Sequence, residues 1–253
     1  MKLHFKQTGR GEPIILLHGL FGSASNLGGV ARALATNFSV YSVDLRNHGK
    51  SPHTEQMDYS SMADDVLQLI DDQTLSPAHL LGHSMGGKTA MQLALNYPQH
   101  VGKLIVADIA PVTYQHAHTN VLQGLTAVAE TRVSSRQQAD DILAQHVSEA
   151  GVRGFLLKSL TRKPQGDYTW QLNLDAIEVN YDELAKGNSG EPFTGDTLFI
   201  KGDQSDYILP EHKDAVLALF PNAQVRVIAN AGHWLHAEQP ETFNNIVERF
   251  LNV

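Results

Sequence analysis

Short apolar runs alternate with amphipathic stretches along most of the 253-residue chain. Ile14–Leu17, Ser39–Val43, His79–Leu81, Lys103–Ala107, Leu198–Ile200 and Gln224–Ile228 have the length and apolar content of buried strands. Segments with apolar residues at helical spacing lie between most of them. Ser61 with Asp64 resembles a capping box opening Asp65–Ile70. Pro210-Glu211 and Pro240-Glu241 suit the first turns of two late helices. In the last of these, Phe243, Ile246, Val247, Phe250 and Leu251 form one apolar stripe. This rhythm predicts a three-layer α/β sandwich, a mostly parallel, doubly wound sheet with helices on both faces.

The rhythm breaks between Pro111 and Gly195. There Val121-Leu122, Ile142-Leu143 and Phe155-Leu156-Leu157 are spaced among polar residues in a helical manner, with no convincing buried strand. A structureless loop of that length is implausible inside a compact domain. The expected organisation is a core made of residues 1–111 and 195–253, with a helical cap over 112–194. Such a cap would cover the carboxyl ends of the strands, where open α/β sheets carry their sites.

Hydrophobic residues make up 42% of the chain and charged residues 18%, enough for a substantial core. The formal net charge of -8 argues against nucleic acid or an anionic membrane as the main partner. With no cysteine there is no disulfide framework and no thiolate chemistry. The start, Met1-Lys2-Leu3-His4-Phe5-Lys6-Gln7, lacks the apolar core of a signal peptide, and no apolar run approaches a membrane span. A cytoplasmic protein is the expectation.

Gly82-His83-Ser84-Met85-Gly86 matches the G-x-S-x-G pattern of a nucleophile elbow. A strand candidate precedes it, and the helical run Lys88–Tyr97, stopped by Pro98, follows it. Ser84 would then stand on a tight turn at a helix N-terminus, whose dipole favours negative charge developing there. A serine needs a base. Of 13 histidines, His233 is the best placed, after the last strand and before the last helix. The acid has two candidates. Asp108 ends the strand that follows the elbow, and Asp206 lies in the loop after Leu198–Ile200. Position favours Asp108, with Ser205 adding a hydrogen bond to the network. The oxyanion needs two backbone N–H donors. Met85 supplies one, and Leu20, with Phe21 as the alternative, supplies the other from His18-Gly19-Leu20-Phe21-Gly22.

These elements, together with Asp44-Leu45-Arg46-Asn47-His48-Gly49-Lys50-Ser51 and Gly232-His233, resemble the α/β-hydrolase superfamily over nearly the whole chain. Asp108-Ile109-Ala110-Pro111-Val112, Trp170-Gln171-Leu172-Asn173-Leu174 and Ser205-Asp206-Tyr207 are similar to the bacterial YbfF-type esterases. That resemblance implies a cap inserted after the sixth strand of the family's fold. It implies an acid at Asp108 with serine at the later site, and hydrolysis of esters or acyl-CoA thioesters. Asp203 and Asp206 around Ser205 depart from the subgroup's pattern and keep Asp206 open as the acid.

Other features carry less. Arg46–Ser51 lacks the glycine spacing of a phosphate loop. His116 and His118 have no carboxylate cluster that would make them a metal pair, and they read as polar cap residues. Arg162 and Lys163 read as a solvated face. Phe21, Phe155, Trp170 and Trp234 are the candidates for contact with substrate, and Tyr168 belongs with the cap aromatics.

The reading is therefore a serine hydrolase with a small ester or thioester as its substrate. It calls for no cofactor or metal, and the chain would be a monomer or weak homodimer. The alternatives are a lyase or C–C hydrolase using the same three side chains, and a ligand-binding regulator on a hydrolase shell.

Overall fold

The computed structural model describes residues 1–115 and 118–252; His116 lies outside them. Its main sheet has seven strands: β1 Phe5–Thr8, β2 Glu12–Leu17, β3 Phe38–Val43, β4 Ala78–His83, β5 Val101–Ala107, β8 Thr197–Gly202 and β9 Ala223–Ile228. Their spatial order is β1-β3-β2-β4-β5-β8-β9. Only β1 runs antiparallel, against β3.

Alternation along the strands divides the core. Ile15, Leu17, Leu80, Leu104, Val106 and Phe199 face α2 (Tyr59–Asp72) and α3 (Met85–Asn96). Ile14, Leu16, Leu81, Ile105, Leu198 and Ile200 face α1 (Gly28–Leu34) and α10 (Pro240–Leu251). Both faces are covered, so the central strands read as continuous apolar runs. Each such side chain contributes roughly 1.5–3 kcal/mol by burial.

Three local expectations need correction. The sequence reading passed over β1, because its Phe5-Lys6-Gln7-Thr8 is mostly polar and its middle residues are exposed, as an edge permits. Helix α2 starts at Tyr59, not Asp65. Its cap is Asp58, whose side chain accepts from Ser61 N–H at 2.8 Å. Pro210–His212 forms a short 3₁₀ turn, and the helix proper, α9, runs Lys213–Leu219.

Five strands precede the segment that joins β5 to β8. It holds α4 Thr119–Glu130, α5 Arg136–Leu143, α6 Ala150–Leu156, α7 Leu174–Val179 and α8 Tyr181–Ala185. It also holds an antiparallel pair, β6 Leu160–Arg162 and β7 Tyr168–Trp170. No buried strand was expected there, and these two have one buried residue each; strands of three residues are too short to show a period. Arg162 and Lys163 are exposed at this hairpin. Among the described residues no helix is long and apolar enough to cross a membrane.

Candidate active site

Ser84 follows β4 directly and adopts φ 54, ψ -119 before α3 begins at Met85. Two glycines make this turn possible. A Cβ on Gly82 would stand 2.2 Å from Gly86 O, and one on Gly86 would stand 2.2 Å from Leu17 O. The constraint at Gly86 is therefore the neighbouring strand β2, not the far side of the turn.

Sheet register sets the partners. His83 lies opposite Ala107 and Ala107 opposite Ile200, which brings the ends of β4, β5 and β8 to one level. Ser84 N–H donates to Ala107 O at 3.0 Å, and Asp108 N–H donates to Ile200 O at 2.8 Å. Asp108 also sits in the left-handed region, at φ 53, and is fully buried. The loop after β9 carries His233. Glu238 accepts from Gly232 and Trp234 N–H, and Asp203 accepts from Ala231 N–H, which fixes that loop.

His233 Nε2 lies 3.1 Å from Ser84 Oγ, and His233 Nδ1 lies 2.7 Å from Asp108 Oδ2. Ser205 Oγ donates a short bond to the same Asp108 oxygen, while Gly202 N–H donates to Asp108 Oδ1 at 3.2 Å. Asp206 is exposed and makes no hydrogen bond to His233 among the described residues. The carboxylate on His233 is that of Asp108.

Phe21 N–H is engaged, donating to His48 Nε2 at 3.2 Å. Leu20 N–H has no partner among the described residues. Met85 is the first residue of α3, where a helix leaves its N–H groups free. Leu20 and Met85 are thus the available donors beside Ser84.

Two cavities meet at the serine, sharing Leu20, Ser84, His118 and Tyr207 in their walls. One, of about 260 Å³, is also lined by Met85, Lys88, Tyr59 and Tyr114. The other, of about 410 Å³, is lined by His233, Trp234, Phe21 and Phe155. Trp170 lines neither. It is buried in the core, and its indole N–H donates to Leu125 O at 2.9 Å, which pins β7 to α4. Its assignment to substrate contact is corrected accordingly.

The residue-12–240 stretch matches the family profile described as the alpha/beta hydrolase fold. Esterase YbfF of Escherichia coli strain K12 is 40% identical over 258 residues, covering all of both chains. The sn-1-specific diacylglycerol lipase ABHD11 of Mus musculus is 40% identical, over 94% of this chain and 80% of that one. A solved structure, a marine microorganism esterase, superposes with a TM-score of 0.93 at 40% identity, over 98% of this chain and 99% of that one. This chain belongs to the alpha/beta hydrolase family.

In this α/β hydrolase the remaining sequence features have structural explanations. His18 Nε2 accepts from Leu45 N–H, leaving its Nδ1–H for Gly19 O. His48 likewise accepts from Phe21 and donates to Arg46 O. Both brace the loop that carries Leu20. Asp44 accepts from Ala24 and Lys50 N–H, so Arg46–Ser51 is a braced turn. His118 hydrogen-bonds Tyr181 and Tyr207.

Several residues at the site escaped the sequence reading. Tyr207 stacks on His233, with ring centroids 3.9 Å apart and planes 23° apart. His83 Nε2–H donates to His233 O at 2.8 Å, and His236 packs against His83 at 4.6 Å. Lys88 is the one charged residue in the buried face of α3. A lysine within the apolar run Met85–Leu95 was the visible signal for it.

Burial holds five histidines below their ordinary value of 6.5. His48 and His236 fall to about 3, His118 falls to about 4, and His18 and His83 also fall. A depressed histidine stays neutral in the fold while the unfolded chain takes up a proton below pH 6.5. Stability therefore rises with pH between about 3 and 6.5. At pH 5, His48 and His236 should each cost about 2 kcal/mol relative to pH 7.5. Urea unfolding at the two pH values tests this. An equal or higher midpoint at pH 5 would contradict it.

Proposed function

We propose that this hydrolase cleaves small carboxylic esters or acyl thioesters through an acyl-enzyme. Ser84 is the nucleophile, His233 the general base, and Asp108 the acid that orients it. The observation that carries the reading is the hydrogen-bond path from Ser84 Oγ through His233 to Asp108, at 3.1 and 2.7 Å. The relatives named esterase and lipase support the substrate class.

His233 Nε2 takes the Ser84 proton as Oγ attacks the carbonyl carbon. Leu20 and Met85 N–H hold the oxyanion. His233 then returns the proton to the leaving oxygen or sulfur as the tetrahedral species collapses. Water, activated by the same imidazole, releases the acid from Ser84. Asp108 fixes the Nδ1–H tautomer and stabilises the imidazolium, and Ser205 holds Asp108. Residues 112–194 act as a cap that closes both cavities over the serine.

Rapid mixing with p-nitrophenyl acetate should give a burst of p-nitrophenol close to one equivalent of enzyme, followed by slower turnover. No burst and no turnover across a panel of esters and CoA thioesters would overturn the reading. Elimination or C–C cleavage by the same residues gives no burst with this ester.

A further inference from the structure

Lys88 is a basic side chain, 1% exposed, and used by no step of the proposed hydrolysis. It lies one helical turn past Ser84, about 6 Å along the axis of α3. Its Nζ donates to Val112 O at 2.7 Å and, over a shorter contact, to Lys186 O. The rings of Tyr114 and Tyr59 lie 4.9 and 5.5 Å from it. No carboxylate among the described residues pairs with it, and its third N–H has no acceptor there. A buried cation without a counter-ion is costly. Tying two carbonyls does not require a charge. Asn188 does comparable work nearby, donating to Lys88 O and Gln92 with a neutral amide.

The chemistry assigns the two cavities. The leaving group needs a proton from His233, so it lies on the side lined by His233 and Trp234. The acyl group then occupies the cavity lined by Met85 and Lys88. Among the titratable groups there, burial keeps Tyr59, Tyr114 and Tyr207 protonated and His118 neutral. Tyr181 also lines it, and Asp206 stands exposed at its edge. Among the described residues of the wall, Lys88 is the only lysine or arginine.

We propose that Lys88 binds a carboxylate at the far end of the acyl group, so that the preferred substrates are half-esters or half-thioesters of short dicarboxylic acids. This rests on the hydrolase reading and specifies its substrate class. The carboxylate supplies the missing counter-ion and takes the third N–H. Burial brings Lys88 down to about 7, so an anion that binds it also favours its protonation. Selectivity for such substrates therefore falls as pH rises above about 7.

The test compares p-nitrophenyl hemiglutarate with p-nitrophenyl pentanoate, which share a leaving group and chain length. The wild type should favour the hemiglutarate in kcat/KM. Lys88→Gln, which keeps an N–H donor, should lower that ratio at least about tenfold. Equal losses on both esters would mean that Lys88 only ties the cap, and would overturn the proposal. So would a wild-type preference for pentanoate, or a ratio unchanged between about pH 6 and 9. Calorimetric titration of glutarate into Ser84→Ala needs no turnover. Binding there that Lys88→Gln abolishes supports the proposal even if neither ester is cleaved, an outcome that would count against the hydrolase reading instead. Absence of glutarate binding overturns it.

Discussion

Ser84→Ala should lower kcat by a thousandfold or more, at least about 4 kcal/mol of transition-state stabilisation. The loss should be chemical and not structural. Ser84 sits at φ 54, and alanine carries the same Cβ into that strained region. Gly82, Gly86 and the Ala107 carbonyl that receives residue 84's N–H are unchanged by the substitution. Among the described residues, the only side-chain bond lost is the one to His233 Nε2. Thermal unfolding should therefore move little while turnover collapses. Residual rate above background would come from the Leu20 and Met85 donors. Turnover close to wild type would remove Ser84 from the chemistry. A large fall in melting temperature would assign the loss to folding.

Much of this architecture was legible because its period is strong. All six expected strands appear, each lengthened by one to three residues, and alternating positions sort onto the two faces. The sequence reading named Ser84, His233 and Asp108, and the fold brings those three side chains within hydrogen-bond reach. Spacing alone left Asp206 open beside Asp108. Choosing between them depends on the level at which β4, β5 and β8 end, a property of sheet register with no local sequence signature. Leu20 was preferred with Phe21 kept as the alternative, and what separates them is again non-local, since Phe21 N–H is occupied by His48, 27 positions away.

The segment joining β5 to β8 was the least legible part. Only α4, with 12 residues, samples the helical period over three turns, while α5 to α8 have 5 to 8 residues and the hairpin strands three each. Trp170 shows the consequence. Its ring chemistry suits a substrate wall, yet its N–H is spent on Leu125 O of α4. Lys88 shows the converse. A single charge in an apolar helix face is visible in sequence, but its missing counter-ion emerges only when the carbonyls of residues 112 and 186 converge on it.

Asp108→Asn should cost about a thousand- to ten-thousandfold in kcat, while Asp206→Asn should change it by less than about threefold. The asymmetry follows from the hydrogen bonds. Asp108 Oδ2 receives both His233 Nδ1–H and the Ser205 hydroxyl, and Oδ1 receives Gly202 N–H. An asparagine has one acceptor oxygen and one donor group. With its oxygen toward His233, its amide opposes Gly202 N–H. With the amide toward His233, Nδ1 must accept, and the proton moves to Nε2. That tautomer points a hydrogen at Ser84 Oγ and cannot take its proton. Either orientation leaves a buried polar group mispaired, so a stability loss of about 1–3 kcal/mol should accompany the kinetic one. Asp206 is exposed and bears on none of these bonds. Steady-state kinetics on one activated ester, with urea unfolding of both variants, reads the two effects separately. If Asp206→Asn abolishes turnover and Asp108→Asn retains it, the acid has been misassigned.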